Sequence, residues 1–170
     1  MNSQRVLAIA PCAQGFGFAV LEGPKRLIDY GVKEVRGDKN SGCLKKVIAL
    51  IRHYQPNVIV LEDPLGKGSQ RCLRIQILLR EIVEVALSKN VESRSFSRSE
   101  IRKAFSKRGI FTKHQLASSI AKQFPELALR LPPVRKPWMS EDERMSIFDA
   151  VGMAFTFLLN QNAEAWYPPR

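Results

Sequence analysis

Histidine and cysteine are scarce in this chain of 170 residues, and their placement argues against a zinc centre. His53 and His114 are the only histidines, and Cys12, Cys43 and Cys72 are widely separated with no C-x-x-C pair. An odd number of isolated cysteines also excludes a disulfide framework, so the three read as reduced thiols acting as small apolar fillers. No apolar run approaches the roughly 20 residues of a membrane span. The longest, Met145 to Leu159, is interrupted by Asp149 and reads as a buried helix. The opening Met1-Asn2-Ser3-Gln4-Arg5 lacks the apolar core and small-residue cleavage site of a secretory signal, so the expected setting is the cytoplasm, with no membrane partner.

Negative charge is also in short supply. Against 27 Lys and Arg there are 16 Asp and Glu, a net charge of +11 that favours a polyanionic partner. The excess is concentrated between Pro64 and Phe111, where eleven basic residues face only Glu81, Glu84, Glu92 and Glu100. A solvated helical face normally mixes signs, so this segment points to nucleic acid.

The length suits one domain over residues 1–170, and there is no internal repeat; the short Trp166-Tyr167-Pro168-Pro169-Arg170 end is the only biased tail. Residues Arg5–Ala10, Phe16–Leu21 and Arg26–Val35 read as three strands of an antiparallel meander, broken by Pro11-Cys12-Ala13-Gln14-Gly15 and Glu22-Gly23-Pro24. A helix begins near Cys43 after the loop Gly37–Gly42, with Leu44, Val47, Ile48, Ile51 and Tyr54 on one face, and Pro56 stops it. Asn57–Leu61 is a continuous apolar run, the signature of a strand covered on both faces. Ile75, Leu78, Leu79, Ile82, Val85 and Ala86 mark a second helix, and Val91–Phe96 a last strand. Ser97 and Thr112 each open a helix, Thr112 with a capping box to Gln115, and Pro125 lies near the end of the latter. The prolines of Leu131–Trp138 enforce a loop, and Ser140 with Glu143 predicts a capping box for the final apolar helix. Strands followed by alternating helices and strands imply an α/β mixed five-stranded sheet with helices on both faces.

Two carboxylates are candidates for chemistry. Glu62 ends the buried strand, where α/β sheets place ligands and metals. Asp149 lies in an otherwise apolar helical stretch, where a carboxylate is costly unless it is paired with Lys or Arg or bound to a cation. Ala150, Gly152 and Ala154 are small enough to bring that helix close to the sheet and Asp149 near Glu62. Lys67, Ser69, Arg71 and Arg74 follow Glu62 directly and suit phosphate positioning, with Arg94, Arg98, Arg102 and Lys103 extending the track. Phe96, Phe105 and Phe111 have the spacing of core residues, with stacking on unpaired bases as the alternative.

The order of elements, the stretch LAIAPCAQGFGFAVLEG, the VIVLEDP strand and the IFDAVGMAF helix together resemble the RuvC-like Holliday junction resolvases of the RNase H-like superfamily, from about Val6 to Leu158. The resemblance implies a homodimer that binds branched DNA in recombination, and four carboxylates holding Mg²⁺ or Mn²⁺ for endonuclease cleavage. Carried over by position, Glu62 and Asp149 match two of those catalytic, metal-holding acids. Ala10 stands where the first-strand Asp belongs and Ser146 where the other helix acid belongs. Lys113 resembles a basic position of the family. An alanine methyl coordinates nothing, so the resemblance implies a weakened or inactive enzyme, in which Ala10→Asp restores cleavage if the rest of the site is sound. Asp63 is a substitute ligand, whereas Asp142 and Glu143 lie about 10 Å from Asp149 along a helix, too far for one site. The alternatives are a non-catalytic junction- or RNA-binding module, and a YqgF-like relative acting on structured RNA.

Overall fold

A computed structural model describes residues 3–161; the Trp166–Arg170 end lies outside the described residues. Strands β1 (Arg5–Cys12), β2 (Gly15–Glu22) and β3 (Leu27–Glu34) form the expected antiparallel meander. They are followed by α1 (Lys39–Tyr54), β4 (Val58–Glu62), α2 (Leu73–Ser88) and β5 (Glu92–Phe96). Helices α3 (Arg98–Ser106), α4 (Lys113–Gln123) and α5 (Met145–Gln161) complete the order, with a 3-10 turn at Pro125–Arg130 before the proline-rich loop. The sheet order is β3-β2-β1-β4-β5, with β4 parallel to both β1 and β5.

Alternation along the strands divides the core. Leu7 and Ile9 of β1 and Ile59 and Leu61 of β4 pack with α1 and α2 on one face. Val6, Ala8 and Ala10, with Val58 and Val60, pack with α3, α4 and α5 on the other. The helices thus cover both faces, as the element order implies. The face toward α5 is built from small side chains, and this sets how near the helix comes. A Cβ at Gly17 would lie 2.3 Å from Ser146 Oγ, so only glycine fits there. From Met145 to Leu159 every residue of α5 except Asp149 is buried, consistent with an interior helix.

Two helix starts differ from expectation. Helix α1 begins at Lys39 because Asp38 acts as its N-cap and accepts from Ser41 N at 3.2 Å, drawing Lys39 to Gly42 of the predicted loop into the helix. The capping box at Ser140 does not form. Asp142 instead accepts from the backbone N of Arg144 at 2.9 Å and from its guanidinium, and α5 starts only at Met145. Helices α3 and α4 open with complete capping boxes, Ser97 with Glu100 and Thr112 with Gln115. These two boxes fix the helix starts beside the candidate site.

Candidate functional site

The register of β1 against β4 pairs Ala8 with Val60. Two residues further along, Ala10 comes level with Glu62 on the same face of the sheet, since side chains alternate with a period of two. Helix α5 crosses this face and presents Asp149, its one incompletely buried residue in that stretch. Ala10, Glu62 and Asp149 therefore line a single pocket of about 170 Å³ between the sheet edge and helices α3, α4 and α5.

Glu62 is 4% exposed, and two arginines engage both of its carboxylate oxygens. Arg71 Nε donates to one at 2.7 Å and Arg98 Nε to the other at 3.0 Å. Arg71 comes from the loop after β4. Arg98 is the first residue of α3, held in place by the Ser97–Glu100 box. Asp149 receives Lys113 Nζ at 3.3 Å, and the same ammonium reaches Glu141 at 2.7 Å. Both candidate acids are thus neutralised by side-chain cations of the chain itself.

The other positions singled out from the sequence divide by place. Arg102 also lines the pocket, and no hydrogen bond or ion pair holds its guanidinium among the described residues. Ser146 does not reach the pocket: it is 4% exposed, packs under Gly17 and donates to the Glu143 carbonyl at 2.5 Å. Arg74 turns to the opposite face, where it donates to Asn40 Oδ1 at 3.3 Å. Lys67 and Lys103 are exposed outside the pocket lining. Ser69 lies in the loop before α2, its Oγ buried with no hydrogen-bond partner among the described residues. Phe96 and Phe105 are core residues as their spacing suggests, but Phe111 is 68% exposed at the pocket rim. The apolar lining formed by Ile101, Ile110, Leu116 and Met153 beside Phe105 is not marked by the sequence, where apolar residues at these positions read only as core.

A two-ion hydrolytic site needs oxygen ligands that hold the ions about 4 Å apart. The donors here do not fit that requirement. Ala10 offers a methyl group, Ser146 faces β2, both oxygens of Glu62 accept from arginines, and Asp149 is paired with Lys113. Asp63 accepts from Leu65 N at 3.0 Å and Asp142 is occupied by Arg144. Among the described residues no group of three or more His, Cys, Asp or Glu could hold a metal ion.

Burial pushes the Asp149 carboxyl above its ordinary value of 3.8, against the downward pull of Lys113 and with a further upward push from Glu141. A raised carboxyl pKa means that the folded protein keeps this proton after the unfolded chain has released it. The contribution to stability is therefore complete below about pH 3.8 and is lost as pH rises through the folded value. Asp149→Asn is expected to raise Tm at pH 7 by about 2 °C and to leave it unchanged at pH 3, read by thermal melts. A variant less stable than the parent at pH 7 would show that pairing with Lys113 outweighs burial.

No protein-family model matches the sequence, and no curated protein matches it. Solved structures do. Thermus thermophilus RuvC is 14% identical with a TM-score of 0.69, over 95% of this chain and 98% of that one. The same organism's RuvC in complex with Holliday junction substrate is 15% identical with a TM-score of 0.67, over 98% and 99%. The yeast mitochondrial Holliday junction resolvase is 16% identical with a TM-score of 0.59, over 94% and 82%. Agreement over nearly the whole of both chains, with the same five-stranded mixed sheet and helices on its faces, shows that this chain has the RNase H-like fold of the RuvC-type resolvases.

Proposed function

We propose that the chain is a non-cleaving RuvC-like domain that binds branched DNA and holds phosphate directly on arginine and lysine. The observation that carries this reading is the clamp of Arg71 and Arg98 on Glu62. By resemblance, resolvases of this family use divalent ions to clamp the reacting oxygens, and here the carboxylate that would hold such an ion accepts from two arginines. Each clamping arginine donates to Glu62 only through Nε, leaving its terminal amino groups without a hydrogen-bond partner among the described residues. Together with Arg102 and Lys113 they make four cations around one pocket.

Branched DNA is favoured as the polyanion by the fold shared with a RuvC that was captured on a Holliday junction. Structured RNA is the alternative partner. A homodimer is the assembly that the resemblance to junction resolvases implies. A cytoplasmic setting suits the three free cysteines, and no helix among the described residues is long and apolar enough to cross a membrane.

Fluorescence anisotropy with an immobile four-way junction and a linear duplex of equal length tests the reading. The junction is expected to bind about tenfold more tightly, equally well in EDTA and in Mg²⁺ at matched ionic strength. Arg102→Gln is expected to weaken binding and to reduce the salt slope by about one. Equal affinity for junction and duplex, or binding that requires Mg²⁺, would overturn it.

A further inference from the structure

The pocket has a second property that phosphate binding does not use. Of its fourteen lining residues seven are apolar, and Ile101, Phe105 and Leu116 share helices α3 and α4 with the cations Arg98, Arg102 and Lys113, so that apolar and cationic lining alternate around one pocket. Phosphate alone gains nothing from Ile110, Leu116 or Met153, and an apolar ligand alone gains nothing from Arg98, Arg102 or Lys113. A ligand that uses both kinds of lining is an anion carrying a flat, largely apolar ring. Phe111 adds a stacking surface at the rim: it directly precedes Thr112, the N-cap of α4, and its backbone N donates to Gln115 Oε1 at 2.9 Å. The capping geometry therefore holds the backbone at this exposed aromatic, so that stacking there costs little further ordering.

We propose that this pocket takes one unstacked nucleotide from the branch point, the base lying between Phe111 and the apolar lining and the phosphate on Arg102 and Lys113. The inference rests on the branched-DNA reading and adds a ligand class to it. Bases present a π face whatever their identity, so the pocket selects for an unpaired nucleotide and not for a sequence. The apolar residue at position 10 and the pairing of the two acids contribute to this specificity. Ala10, in place of a carboxylate, makes the floor of the pocket apolar, and the pairing of Glu62 and Asp149 with cations lowers the repulsion an incoming phosphate would meet.

The test uses the full chain and two three-way junctions, one fully paired and one carrying a single unpaired 2-aminopurine at the branch. Affinity is read by anisotropy and stacking by 2-aminopurine fluorescence. The unpaired junction is expected to bind about tenfold more tightly, with its fluorescence quenched on binding. Phe111→Ala, at an exposed position where truncation leaves the core intact, is expected to remove most of that preference and the quenching, while affinity for the paired junction changes less than about twofold. If both junctions bind equally and more tightly than linear duplex, the nucleotide pocket is overturned while the branched-DNA reading stands. If neither binds more tightly than duplex, both are overturned. Preference for the unpaired junction that survives Phe111→Ala, with fluorescence unchanged on binding, also overturns the pocket.

Discussion

Glu62→Gln is expected to weaken the fold and strengthen DNA binding at once. Glu62 is buried and compensates two guanidinium groups, of which Arg71 is 18% and Arg98 36% exposed. Removing one member of a buried ion pair leaves charge uncompensated and costs about 3–5 kcal/mol. Partial solvation of both arginines reduces this to about 2–3 kcal/mol, a fall in Tm of about 5–10 °C for a chain of this size. The same substitution frees Arg71 and Arg98 and removes a unit of negative charge from the pocket, which should tighten junction binding about fivefold. In a metal-dependent nuclease this carboxylate would instead be a ligand, and its loss would abolish cleavage. Thermal melts and anisotropy on one preparation read both effects, and a variant that melts like the parent would show that the clamp contributes nothing.

The features legible in the sequence are those encoded locally. Apolar alternation and turn residues mark β1, β2 and β3, the continuous apolar run marks β4, and Ser97 and Thr112 mark α3 and α4 through caps that form as read. Asp149 stands out because a lone carboxylate in an apolar helix demands a partner, and that partner is Lys113, 36 residues away. The clamp on Glu62 was not legible. Its two arginines lie 9 and 36 residues from the carboxylate, and nothing in an arginine's local sequence says whether it faces solvent, a phosphate or an acid. Arg71 and Arg74, three residues apart, suit one phosphate track by sequence, yet the first faces the pocket and the second turns to α1. Phe111 misled for a related reason: its spacing resembles that of a core residue, but it sits where the chain turns into α4. At Ser140 the capping pattern is present and unused because Asp142, two residues later, closes the turn with Arg144.

The central claim is that Glu62 and Asp149 are engaged by side-chain cations rather than by metal ions, and the substitution that bears on it most directly is Ala10→Asp. An acid at position 10, where the resemblance expects one, would add a metal ligand if the other ligands were waiting for it. The geometry says that they are not: Glu62 is held by two arginines, Ser146 faces Gly17, and Asp149 is paired with Lys113. A carboxylate introduced at a position 2% exposed lies level with Glu62, where it should pair with the clamping arginines rather than gather ions, and it should lower stability by about 1–3 kcal/mol. The measurement is cleavage of a labelled four-way junction in Mg²⁺, under single-turnover conditions, by the unmodified chain and by Ala10→Asp. The expected result is that both bind the junction and neither cuts it. Mg²⁺-dependent cleavage by the unmodified chain that disappears on Glu62→Gln, or a gain of orders of magnitude on Ala10→Asp alone, would contradict the account by showing that the carboxylates still gather metal.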